Sequence, residues 1–132
     1  MSSPITVALL GGGTVGASVA HLLSQSATDL TARIGSELKL IGVAVQDISK
    51  PRPGVDPSLL TTDAATLAAC GADIVIEVIG GIEPAKTLIE SAISHGSSIV
   101  TANKALLAAH GAHLHKLAED AGVDLYYEGA VA

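Results

Sequence analysis

Six residues near the amino end have the types and spacing to hold a phosphate pair. Gly11-Gly12-Gly13-Thr14-Val15-Gly16 places glycines in the pattern G-x-G-x-x-G at Gly11, Gly13 and Gly16. Each glycine answers a separate need: Gly11 permits a tight turn out of a strand, Gly13 lets a pyrophosphate approach the backbone, and Gly16 lets the next helix pack closely. Free N–H groups and the positive end of that helix would then attract the phosphates. A glycine-rich tight turn with no ligand is the plainer reading of such a motif. The context favours a dinucleotide, because the apolar run Ile5–Leu10 precedes the motif and the amphipathic stretch Val15–Ser24 follows it. No Gly-Lys-Ser/Thr follows, which excludes the phosphate loop of nucleoside triphosphatases.

A second chemical signal stands at Val45-Gln46-Asp47. An acidic residue at the end of the second strand suits the ribose hydroxyls of NAD, whereas a basic one suits the 2′-phosphate of NADP. Asp47 speaks for NAD, while Lys50 and Arg52 speak for NADP or are plain loop charges, so the preference stays open. Two further segments, Glu77-Val78-Ile79-Gly80-Gly81-Ile82-Glu83-Pro84 and Val100-Thr101-Ala102-Asn103-Lys104-Ala105-Leu106-Leu107-Ala108, each follow an apolar run. Ligands in open α/β sheets bind at such strand ends.

Positioning these segments requires a particular frame. Short apolar runs, rich in branched residues, occur at Ile5–Leu10, Leu38–Val45, Ile74–Ile79, Ser98–Thr101 and Val123–Tyr127. Being apolar on both faces, most read as buried parallel strands. Helices are expected at Val15–Ser24, Ala64–Ala69, Ala85–Ser94 and Lys104–Ala121. Asp63 and Asn103 can cap helices, Glu83-Pro84 suits a first helical turn, and Gly96 and Gly122 stand where helices should stop. The three prolines of Ile48–Pro57 mark a loop. The alternation predicts an α/β fold: a Rossmann-type, doubly wound parallel sheet in three αβα layers.

Length and composition set the bounds. The chain has 132 residues, a net charge of −6, 48% hydrophobic residues and one cysteine. One domain fits that length. With 7 Lys+Arg against 13 Asp+Glu there is no basic field for nucleic acid, so no nucleic-acid partner is expected. A single Cys70 gives no internal disulfide, and no apolar run nears the roughly 20 residues of a membrane helix. A soluble, cytoplasmic setting without a membrane partner is expected.

Taken in order, the glycine loop, Asp47-Ile48-Ser49-Lys50-Pro51-Arg52, the Glu-Val-Ile-Gly-Gly segment, the Thr-Ala-Asn-Lys-Ala-Leu segment and Tyr127-Glu128-Gly129-Ala130-Val131-Ala132 resemble homoserine dehydrogenases. The resemblance covers essentially the whole chain. It implies an enzyme that interconverts L-homoserine and L-aspartate 4-semialdehyde with NAD or NADP, a step towards threonine, methionine and isoleucine. It implies that residues 1–132 form the NAD(P)-binding domain, with the dimerisation and catalytic region and any regulatory domain outside them. The whole enzyme would be a homo-oligomer, and the 132 residues alone are expected to be inactive. By the same resemblance Gly12, Thr14 and Val15 lie against the pyrophosphate, and Ile79 and Gly80 line the nicotinamide side. Lys104 contacts cofactor and substrate, and Glu128 and the carbonyl of Val131 help bind a monovalent cation such as sodium. The sequence departs from the family at Gly12, where an aromatic residue or Ala is frequent, at Gln46, where Arg is common, and at Gly129, where Ala or Ser is common. Another NAD(P)-dependent enzyme, of the aspartate-semialdehyde or dihydrodipicolinate type, and a non-catalytic nucleotide-sensing module remain alternatives on the fold alone.

Lys104 is where the residues and the resemblance converge. Hydride transfer changes the charge on a substrate oxygen, so a cationic or proton-transferring group belongs beside it. A surface lysine is the plainer reading, but the first turn of a helix is an electrostatically poor place for a cation. Other polar residues are not promoted. His110, His113 and His115 do not share one helix face and lack completing ligands for zinc. Cys70 reads as a small buried residue, Asn103 as a structural cap, and Glu77 has no partner base. Tyr126 and Tyr127 are expected to divide between core and surface on alternate strand faces.

Overall fold

In the computed structural model, residues 4–11, 13, 15–21, 23, 38–50, 52 and 55–127 are described. Branched and apolar runs form the strands, because their side chains pack well on a pleated surface. The strands are β1 (Ile5–Leu10), β2 (Leu38–Ala44), β3 (Leu60–Thr61), β4 (Ile74–Glu77), β5 (Ser98–Thr101) and β6 (Leu125–Tyr127). They form one sheet in the order β3-β2-β1-β4-β5-β6, with every neighbouring pair parallel. This is the strand order of dinucleotide-binding α/β folds, and the order reverses between β1 and β4.

The helices are α1 (residues 15–21), α2 (Ala64–Ala68), α3 (Ala85–Ser94) and α4 (Lys104–Ala121). α3 and α4 have the predicted bounds. Asp63 caps α2 by accepting the Thr66 amide, and Asn103 caps α4 by accepting the Leu106 amide, each at 3.0 Å. Gly122 ends α4 in a left-handed conformation, φ 72°. α4 bends at His110, φ −134°, beside Gly111.

The core has two parts, one on each side of the sheet. Ala8, Leu10, Ala44, Val75 and Ile99 face Ala68 of α2, Leu88 and Ile89 of α3, and Leu106 and Leu114 of α4. Val7, Leu9, Val43 and Ile76 face Val19 and Ala20 of α1 together with Val55. Aliphatic burial on both sheet faces is the main stabilising force, and it explains how the chain dispenses with large aromatics.

Several expectations are corrected. The sheet has six strands rather than five, because two-residue β3 pairs with Val43 and Ala44 at the edge and is too short to leave a pattern. β2 stops at Ala44, β6 begins at Leu125, and α2 ends at Ala68. β4 stops at Glu77 rather than Ile79, since the Glu77 carboxylate accepts the Ile79 and Gly80 amides and draws them off the ladder. Cys70 is exposed rather than buried, as it lies beyond the end of α2. Tyr126 and Tyr127 are both exposed, 59% and 49%, on the edge strand β6, whose Leu125 is the residue that packs against the core. Among the described residues, no helix is long and apolar enough to cross a membrane.

Four exposed carboxylates fasten local turns. Asp47 lies below the usual carboxylate range because the Ser49 hydroxyl, then its amide, donate to it. Asp56 is lowered by the Ser58 amide and hydroxyl, Asp63 by the Thr66 hydroxyl and amide, and Glu83 by the Thr87 amide and hydroxyl. Groups with lowered values in the fold stabilise it when ionised and lose that contribution as pH falls through those values. The melting temperature should therefore hold from about pH 7 to about pH 5 and fall below about pH 4. Scanning calorimetry across that range checks this, and a melting temperature that climbed on acidification would contradict it.

Candidate functional site

The functional segments are brought together by strand register. Ala44, Leu10, Glu77 and Thr101 pair in succession across β2, β1, β4 and β5, with Tyr127 of β6 next to Thr101. The residue after each strand extends the ladder: Gly11 N–H donates to Ala44 O at 2.9 Å, Val78 N–H to Leu10 O at 2.9 Å, and Ala102 N–H to Glu77 O at 3.2 Å. The loops that follow β1, β4 and β5 thus leave the sheet side by side, about one strand spacing of 4.8 Å apart. The crevice between β1 and β4 is the point where strand order reverses, and it is where such sheets take ligands.

The glycine turn is built by close backbone approach. A Cβ on Gly16 would stand 1.7 Å from Gly11 O, so α1 can meet the turn only through glycine. At Gly13 the space is open among the described residues, none of which, its chain neighbours aside, has an atom within 4 Å of where a Cβ would stand. Ala17 N–H donates to Gly13 O at 2.8 Å, which starts the first helical turn there. Val15 is exposed at the start of α1. Gly12 and Thr14 lie outside the described residues. The turn therefore shows the features a pyrophosphate cradle needs: a helix start, a strand end and room beside Gly13.

The Val78–Gly81 turn borders this crevice. Gly11 faces Val78 O at 3.2 Å and Ile79 N at 3.1 Å, measured from its ideal Cβ. Ile79 is half-buried and Gly80 exposed, with Gly80 at φ 84°. Their amides are held by Glu77 Oε2 at 2.8 and 3.1 Å. Glu77 is fully buried, and its Oε1 accepts the Thr101 hydroxyl at 2.5 Å. Asn103 Nδ2 donates to Gly81 O at 2.6 Å and approaches Glu77 Oε2 at 3.5 Å. Sequence reasoning set Glu77 aside for want of a partner base. The available signal was a carboxylate in the last, buried position of an apolar strand, a place that demands several donors.

Lys104 opens α4 and is exposed. Among the described residues no carboxylate forms an ion pair with it. Its helix start is fixed through Asn103, whose own amide donates to Thr101 Oγ1 at 3.0 Å. Beyond β2, the Asp47 carboxylate accepts the Ser49 amide and hydroxyl at 2.9 and 2.6 Å. The Arg52 guanidinium donates to Asp47 O and Lys50 O at 2.7 and 3.1 Å. The Asp47 carboxylate and the Arg52 guanidinium therefore share one turn beyond β2. Glu128 and Val131, expected to hold a cation, lie outside the described residues. His113 stands 2.7 Å from the Glu90 carboxylate across α3 and α4.

The profile of the family described as "Homoserine dehydrogenase, NAD binding domain" matches residues 11–128. The homoserine dehydrogenase of Corynebacterium glutamicum is 53% identical over 131 residues, 98% of this chain and 29% of that protein. The crystal structure of a homoserine dehydrogenase from Thiobacillus denitrificans superposes with a TM-score of 0.89 at 38% identity, covering 96% of this chain and 30% of that one. A hyperthermophilic archaeal homoserine dehydrogenase in complex with NADPH shares the fold, with a TM-score of 0.74 at 18% identity over 98% of this chain and 44% of that one. The chain thus spans about three tenths of the length of the curated relatives it matches. With the match running through the glycine turn, the Glu77 turn and the Lys104 helix, this chain belongs to the family of homoserine dehydrogenase NAD-binding domains.

Proposed function

We propose that this chain binds a nicotinamide dinucleotide, NAD or NADP, along the β1–β4 crevice and serves as the cofactor half of an enzyme that interconverts homoserine and aspartate 4-semialdehyde. The observation that carries the reading is the open cradle at Gly13, set one strand away from the Ile79–Gly80 turn. The matching family is described as an NAD-binding domain, which supports the choice of ligand. Residues 1–132 act as one cofactor-binding domain in this reading, with dimerisation, substrate binding and any regulation supplied by the rest of a longer polypeptide. Homoserine or the semialdehyde, and a second copy of the enzyme, are partners of that whole protein, which works in the cytoplasm. Sodium binding through Glu128 and Val131 rests on the resemblance alone.

The residues divide the work. Gly11, Gly12, Gly13, Thr14, Val15 and Gly16 seat the pyrophosphate against backbone N–H groups and the start of α1. Ile79 and Gly80 border the nicotinamide end. The bound nicotinamide supplies hydride exchange. Lys104 offers an ammonium group, free of carboxylate partners among the described residues, to the oxygen whose charge changes. Titration calorimetry with NADH and with NADPH tests the reading. Saturable binding of at least one is expected, and no heat from either would overturn it.

A further inference from the structure

A fully buried carboxylate normally has a cation beside it, since an isolated buried charge is costly. Glu77 has none among the described residues. Its donors are two backbone amides, a hydroxyl and a side-chain amide, drawn from two loops. Oε2 takes Ile79 N–H and Gly80 N–H from the turn after β4. Oε1 takes the Thr101 hydroxyl from the end of β5. Thr101 Oγ1 in turn accepts the Asn103 amide, and Asn103 caps α4 while donating to Gly81 O. The network is closed, and no buried side-chain nitrogen or oxygen among the described residues lacks a partner.

The position itself asks only for an apolar side chain. Glu77 lies in register between Leu10 and Thr101, on the sheet face lined by Leu10, Ala44 and Val75. A valine there would satisfy burial but would leave the Ile79 and Gly80 amides without their acceptor. One rigid, planar group instead ties the two loops at a fixed distance. We propose that Glu77 is a positioning residue, setting the Ile79–Gly80 turn against the first turn of α4 so that the nicotinamide edge and Lys104 keep one spacing. This inference rests on the reading that the crevice binds a nicotinamide dinucleotide.

The test compares two ligands on the 132-residue chain by calorimetry. NADH spans both halves of the crevice, whereas ADP-ribose lacks nicotinamide and reports on the glycine turn. Glu77→Ala should weaken NADH by about tenfold or more while ADP-ribose stays within about threefold, the size expected for losing hydrogen bonds to a charged group. Glu77→Gln should recover most NADH affinity, because its carbonyl can accept both amides and its NH₂ can donate to Thr101 Oγ1. Thr101→Val removes the hydroxyl that joins Glu77 to β5 and accepts the Asn103 amide, while leaving the Ile79 and Gly80 amides on Glu77; it should give a smaller loss confined to NADH, which decides the matter if the alanine variant does not fold. Equal loss of both ligands, or no loss of either, overturns the positioning role. A wild-type chain that binds neither ligand overturns the dinucleotide reading, and this inference with it, a result distinct from equal loss in the variants.

Discussion

Gly16→Ala is expected to weaken dinucleotide binding by about a hundredfold and to destabilise the chain together. The added Cβ would stand 1.7 Å from Gly11 O and 2.7 Å from Gly11 C, and both are backbone atoms. Gly11 cannot retreat. Its amide is bonded to Ala44 O, and its other side faces Val78 O and Ile79 N at little over 3 Å from the ideal Cβ. The start of α1 must therefore lift away, and overpacking of this kind costs about 1–3 kcal/mol or more. Misplacing binding groups by an ångström can cost about a hundredfold, so an affinity loss of that order is expected. Gly13→Ala supplies the contrast. Its Cβ meets nothing within 4 Å among the described residues, so the fold should tolerate it, yet the methyl would occupy the room proposed for pyrophosphate. Calorimetry for binding and urea unfolding for stability separate the two variants. Full NADH affinity in Gly13→Ala would place the phosphates elsewhere.

The second large effect is expected at Lys104, in a polypeptide that joins this chain to the remaining length of such a relative, where the proposed substrate site lies. Lys104→Met keeps the bulk of the side chain and removes its charge. Losing a group that stabilises or transfers the proton of a reacting oxygen lowers turnover by about 10²–10⁴-fold. NADH affinity should change far less, because the proposed seat of the pyrophosphate, at the end of β1, is two strands from β5 across β4. The helix should persist, since its cap is made by Asn103 and not by the lysine. Steady-state homoserine oxidation together with cofactor titration checks the split. Turnover within about threefold of the unaltered enzyme would remove Lys104 from the chemistry.

Strong local signals in the sequence correspond to what the structure contains. The apolar run Ile5–Leu10, the helical stretch Ala85–Ser94, the capped stretch Lys104–Ala121, and the glycine spacing at Gly11, Gly13 and Gly16 all stand where hydrophobic pattern and turn chemistry place them. Features set by long-range pairing were not legible. β3 exists only because Leu60 and Thr61 find Val43 and Ala44, and no two-residue stretch can announce that. The exposure of Tyr126 and Tyr127 follows from β6 lying at a sheet edge, a fact of strand order rather than of alternation. Glu77 escaped for the same reason. Its donors come from its own turn and from Thr101 on the next strand, so its role becomes visible only when β4 and β5 are paired.

The row from Ala44 through Leu10 and Glu77 to Thr101 also has a kinetic meaning. The segments it aligns are far apart in the chain, and parallel pairing brings no reward until long loops have closed. No segment taken alone holds the crevice, because the glycine turn is bordered by a loop that arrives only when β4 docks beside β1. Ligand competence should thus emerge late, with the final sheet closure. A bound dinucleotide would then act on folding by slowing the reopening of β1 from β4, lengthening the life of the native state more than it speeds its formation.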